Sequence, residues 1–142
     1  MIGGSPTLIP NKWIEIIKKT LSDSIKPGFI ILFGSYAKNN ARSSSDLDIA
    51  YFTEEKVTDY NRFIIAQQLA NQLKKEVDLV DIKRIDIVFA AQIFSTGVLI
   101  YCKDKNEFIK QRMKALSMYT TLNEQRSNLL KEIDERGYIY EE

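Results

Sequence analysis

The chain of 142 residues contains no histidine and one cysteine, Cys102. Without imidazole there is no Ser-His-Asp triad, no His-ligated zinc and no histidine general base. With one thiol there is no intrachain disulfide, which suits a reducing compartment, and Cys102 is expected to pack as a small hydrophobe. Charge of either sign is not in excess: 20 basic and 19 acidic residues leave a net charge of +1. Such a balance argues against a protein that coats nucleic acid by charge, and against nucleic acid as the direct substrate. No apolar run approaches a membrane span, and the N-terminal MIGGSPTLIP lacks the basic and apolar regions of a signal peptide. A cytoplasmic protein is expected. Acid–base or metal chemistry is therefore left to carboxylates, lysines, tyrosines or the single cysteine.

The remaining composition is that of an ordinary globular chain, 44% hydrophobic and 27% charged. The length suits a single domain over 1–142. After a turn-rich leader (1–11), NKWIEIIKKTLSDSI has Trp13, Ile17 and Leu21 at helical spacing, Asn11 as its expected N-cap and Pro27-Gly28 as its stop. FIILF and DLDIAYF read as strands. VTDYNRFIIAQQLANQLKKE reads as a helix with Ile65, Leu69 and Leu73 on one face. VDLVDI is a third strand, IDIVFAAQIF a short helix stopped near Gly97, and VLIYC a fourth strand. A C-terminal helical region runs from about 105 to 135, with Phe108 or Ile109, Met113, Leu116, Leu129, Leu130 and Ile133 as its stripe. Thr120 and Thr121 make SMYTTLN its weakest point, and Gly137 is the expected stop. The order α-β-β-α-β-α-β-α, with a short hairpin-like link between the first two strands, predicts an α+β fold with a mixed sheet of about four strands flanked by helices. In the C-terminal ERGYIYEE, a polar tail, Tyr138 and Tyr140 are suited to anchoring a partner or to self-modification.

The chemistry concentrates in ILFGSYAKNNARSSSDLDIAYF. Alternate strand residues share a face, so Asp46 and Asp48 are expected side by side, with Leu47 and Ile49 turned away. Two such carboxylates repel unless a cation lies between them. Oxygen ligands without His or Cys favour a hard ion, Mg²⁺ or Mn²⁺. VDLVDI offers a third carboxylate. Asp78 and Asp81 have opposite parity, so a regular strand presents at most one of them; Asp78, inside the strand, is the preferred one. Two metals about 3.5–4 Å apart suit in-line phosphoryl or nucleotidyl displacement. Gly34 allows close approach of an anion to the backbone, and Ser35 adds a hydroxyl and an N–H. Lys38 and Arg42 lie in the connecting loop and read first as solvated.

Gly34-Ser35, the intervening residues 36–45 and then Asp46-Leu47-Asp48 resemble the signature of the polymerase β-like nucleotidyltransferases. The length resembles their minimal nucleotidyltransferase (MNT) branch, and the resemblance covers residues 29–82, the expected catalytic core. It implies NMP transfer from an NTP, most simply AMP from ATP, with two Mg²⁺ ions. Gly34 and Ser35 would hold the triphosphate, and Asp46, Asp48 and Asp78 would be both metal ligands and catalytic residues. It also implies an antitoxin that AMPylates a HEPN-type ribonuclease toxin encoded nearby. A non-catalytic partner-binding antitoxin and transfer to a small molecule such as an aminoglycoside are the alternatives. An oligomer is compatible with this reading.

Overall fold

The computed structural model describes residues 9–136. Helix α1 (Asn11–Ile25) is followed by strand β1 (Phe29–Phe33), a 3-10 turn (Gly34–Tyr36) and strand β2 (Leu47–Phe52). Next come α2 (Asp59–Leu73), β3 (Val77–Asp81), a second 3-10 turn (Ile82–Arg84), α3 (Ile87–Thr96), β4 (Val98–Cys102) and α4 (Lys105–Arg136). The sheet order is β3-β2-β1-β4, with β1 antiparallel to β2 and β4 and β2 parallel to β3. The expected element order and mixed sheet are both present.

Alternation along the strands divides the core between the sheet's two faces. Ile30, Leu32, Leu47, Ile49 and Tyr51 face α1 and α2, which contribute Ile17, Leu21, Leu69 and Leu73. Phe29, Ile31, Phe33, Ala50 and Phe52 face α3 and α4, which contribute Ile93, Phe94 and Ala115. Because β1 is covered on both faces, all five residues of FIILF are buried, which explains an apolar run without alternation.

Local chemistry sets the element ends. The Thr58 hydroxyl accepts from Asn61 N–H at 3.0 Å to cap α2, and the Asp86 carboxylate accepts from Phe89 N–H at 2.8 Å to cap α3. Lys26 closes α1 in the left-handed region, just before Pro27-Gly28. Asn11 is not the cap of α1: Pro10 occupies that position with extended backbone and no capping side chain, so the helix already includes Asn11.

The C-terminal helix differs most from expectation. It runs unbroken through SMYTTLN, where Thr120 satisfies its hydroxyl on the Leu116 carbonyl at 2.9 Å within the helix. Its apolar stripe is not a core stripe. Phe108 and Ala115 pack on the sheet, whereas Ile109, Met113, Leu129 and Leu130 are exposed. Helix α3 packs against α4, yet among the described residues Leu129 and Leu130, late in α4, stay exposed. Gly137, Tyr138 and Tyr140 lie outside the described residues.

Candidate active site

The site forms where β1 ends and β2 and β3 begin. Antiparallel pairing sets Phe33 opposite Asp48, and parallel pairing sets Asp78 opposite Asp48 on the other side. Asp48 therefore stands between Gly34 and Asp78, on the sheet face that carries Ala50 and Phe52. Gly34 has φ +76, and a Cβ there would collide with Asp48 Oδ2 and lie 2.9 Å from its Cγ. Glycine is required twice over, by backbone conformation and by the carboxylate pressed against it. Gly34 and Ser35 open a 3-10 turn whose carbonyls accept from Ala37, Lys38 and Asn40 N–H groups at 3.1–3.2 Å.

Asp46 stands at the entry of β2. The strand starts at Leu47, whose N–H donates to the Glu76 carbonyl at 2.9 Å, so Asp46 lies just before β2 and is exposed. It still acts on Asp48 through space. Partial burial first, then repulsion by Asp78 and by Asp46, pushes the Asp48 carboxyl up to about 6. Asp78 is exposed, at the mouth of the site.

Asp81 points to the opposite face and is 4% exposed. One of its oxygens accepts from Lys83 N–H at 2.9 Å, capping the second 3-10 turn, and the other accepts from the Tyr51 hydroxyl at 3.4 Å. Its oxygens are occupied within the fold. Burial first and the neighbouring Asp81 charge next push the Tyr51 hydroxyl up to about 12, against an opposing pull from Arg62. Lys38 and Arg42 are exposed. Lys75, which drew no attention in the sequence, reaches into the same region. Its Nζ donates to the Ser43 carbonyl at 2.7 Å and lies 5.5 Å from the centre of the Tyr36 ring. No local pattern distinguishes it from Lys74; only the fold brings residue 75 to residue 43.

The donor set fits a hard divalent cation: Asp48 is held up by burial first and then by the like charges of Asp78 and Asp46, and a cation would offset that repulsion. Among the described residues no three His, Cys, Asp or Glu side chains gather into a ready-made metal cage. Mg²⁺ needs none, because it retains water and takes substrate phosphate oxygens beside one or two carboxylates.

The family described as "Polymerase beta, Nucleotidyltransferase" matches residues 15–106. The chain is 31% identical to the protein adenylyltransferase MntA of Shewanella oneidensis over 118 residues, 82% of this chain and 84% of that protein. Its fold is similar to a chain in the crystal structure of a toxin–antitoxin with AMP-PNP, at 30% identity and a TM-score of 0.76, covering 84% of this chain and 97% of that one. It is also similar to a chain in the structure of a tri-AMPylated Shewanella oneidensis HEPN toxin in complex with MNT antitoxin. There the identity is 29% and the TM-score 0.72, covering 87% of this chain and 97% of that one. With the family match running from residue 15 to 106 across the Gly-Ser turn and the paired aspartates, the chain belongs to the polymerase β nucleotidyltransferase family.

Proposed function

We propose that this protein transfers AMP from ATP to a hydroxyl of a HEPN-type ribonuclease toxin and so acts as its antitoxin. The observation that carries the reading is the registered opposition of Asp48 and Asp78, with Gly34 pressed against Asp48. The likeness to an adenylyltransferase and to chains solved with a toxin supplies the acceptor class.

On this reading Gly34, which carries no side chain of its own, and Ser35 bind the triphosphate through the backbone of their turn. Asp46, Asp48 and Asp78 hold Mg²⁺, which when bound would screen phosphate charge and lower the pKa of the attacking hydroxyl. The acceptor oxygen forms its bond to the α-phosphorus as the bond to the pyrophosphate oxygen breaks. Asp78, exposed at the mouth of the site, takes the hydroxyl proton on a carboxylate oxygen, and pyrophosphate leaves with the electron pair.

Incubating the chain with labelled ATP, Mg²⁺ and the toxin encoded by the neighbouring gene should label a toxin residue. Asp48→Asn should abolish the label. No transfer from any NTP would overturn the proposal. Protection of cells by Asp46→Asn/Asp48→Asn equal to that by wild type would instead favour occlusion without catalysis.

A further inference from the structure

The loop from Ala37 to Asp46 links the phosphate end of the site to its carboxylates, and its first part is seated on the core through Ala37 and Ala41. A polar cleft of about 530 Å³ opens between Ser43–Asp46 and the C-terminal end of α2, where Gln67, Ala70 and Asn71 line the far wall. Asp46, at the end of this loop, is outside the β2 ladder and exposed. Its position relative to Asp48 therefore depends on how the loop is held.

Lys75 crosses to it. Its Nζ donates to the Ser43 carbonyl at 2.7 Å, with the Tyr36 ring on its other side at 5.5 Å. Tyr36 belongs to the Gly34–Tyr36 turn and is buried edge-on against Trp13 of α1, with ring centres 6.0 Å apart. A continuous column thus runs from α1 through the turn and the lysine to the loop backbone. The left-handed Lys74, φ 58, reverses the chain after α2 and sets Lys75 at the entry of β3. Beyond it the Glu76 carbonyl receives Leu47 N–H, and Asp78 pairs with Asp48. The stretch 74–78 therefore places one carboxylate, pins the strand start next to another, and holds the loop that delivers Asp46.

We propose that Lys75 is a positioning residue for nucleotidyl transfer, fixing Asp46 relative to Asp48 and Asp78 by tying Ser43 and Tyr36 to the entry of β3. This rests on the reading of those three aspartates as the cation-holding set. The ammonium group is directed at a carbonyl and a ring of the protein itself, so Lys75 acts through Asp46 and not on the substrate.

The test compares Lys75→Met, Lys75→Arg and Asp48→Asn. It measures the melting temperature, the Mg²⁺ concentration at half-maximal rate, and the calorimetric affinity for Mn²⁺ with a non-hydrolysable ATP analogue. Lys75→Met should raise the half-saturating Mg²⁺ and weaken Mn²⁺-dependent analogue binding by about tenfold, a typical effect of losing a group that orients metal ligands. Binding of the analogue without cation should stay at its wild-type value. Lys75→Arg should restore both to within about threefold, because a guanidinium also donates to a carbonyl and stacks on a ring. A Lys75→Met protein that melts earlier but keeps wild-type cation dependence would overturn the proposal and leave Lys75 a structural brace. Wild-type cation dependence in Asp48→Asn as well would locate the failure in the reading of the aspartates. Should Lys75→Met not fold, Lys75→Gln, uncharged but still a donor, provides the same comparison.

Discussion

At the scale of single residues, the site combines a carboxylate that resists ionising with a glycine that tolerates no replacement. Asp48 titrates near 6, above an ordinary carboxyl, so the folded state binds a proton that the unfolded chain has already released. Its contribution to stability is present at about pH 4 and is lost as pH rises through about 6. In cation-free buffer the melting temperature should fall across that window, and Asp48→Asn should remove the slope. The same substitution should stabilise the cation-free protein at pH 7 by about 0.5–1 kcal/mol, after allowance for solvent screening, while it abolishes transfer. Denaturant melts in EDTA check both, and a wild-type slope in the Asn variant would contradict them. Gly34→Ala meets strained φ and the Asp48 carboxylate together, so about a hundredfold loss of rate is expected for such a displacement, measured by label incorporation. Asp78 and Asp81 should separate cleanly. Asp78→Asn should lose about 10²–10⁴ in rate and remain folded. Asp81→Ala should cost about 1–3 kcal/mol through the unsatisfied Tyr51 hydroxyl and Lys83 N–H, with transfer retained where the protein is folded. Parity put these two aspartates on opposite faces, which the regular strand bears out, and position inside the strand was the ground for preferring Asp78. Asp46 lies one residue before the ladder opens, near enough to Asp48 to repel its charge.

At the scale of elements, periodicity marked the helices and residue type marked strands such as FIILF, but neither told what each helix packs against. The stripe Ile65, Leu69, Leu73 is core because α2 lies on the sheet along its length. The α4 stripe has the same spacing and is largely bare, since period reports a face and not the presence of a neighbour. Phe108 should therefore matter far more than Leu129. Phe108 meets Phe29 and Phe94 with ring centres at 5.1 and 5.9 Å. Phe108→Ala is expected to cost about 2–3 kcal/mol, and Leu129→Ala under about 0.5 kcal/mol, in urea denaturation of the isolated chain. Equal costs would mean that the end of α4 is covered in solution. Lys75 shows the other limit of reading by pattern, since its partners Ser43 and Tyr36 become neighbours only when β2 and β3 align.

At the scale of the whole molecule, two helical layers bury the sheet while its β2–β3 end stays open, which leaves the carboxylates accessible to a macromolecular acceptor. Among the described residues no helix is long and apolar enough to cross a membrane. Mg²⁺ with a non-hydrolysable ATP analogue should raise the melting temperature by mass action, by about 2.7 kcal/mol of stability at a hundred times the dissociation constant, and thermal shift measures it. The same addition to Asp48→Asn should have little effect. The parallel pairing of β2 with β3 also bears on the order of events during synthesis. Asp48 meets Asp78 across α2 alone, whereas the outer edge of the sheet waits for β4, where Phe29 pairs with Cys102. As the chain emerges N-terminus first, the paired Asp48 and Asp78 leave the ribosome before the strand that completes the sheet. The nascent chain thus carries both carboxylates before it can close its sheet, and the later segments complete the frame around strands that are already made.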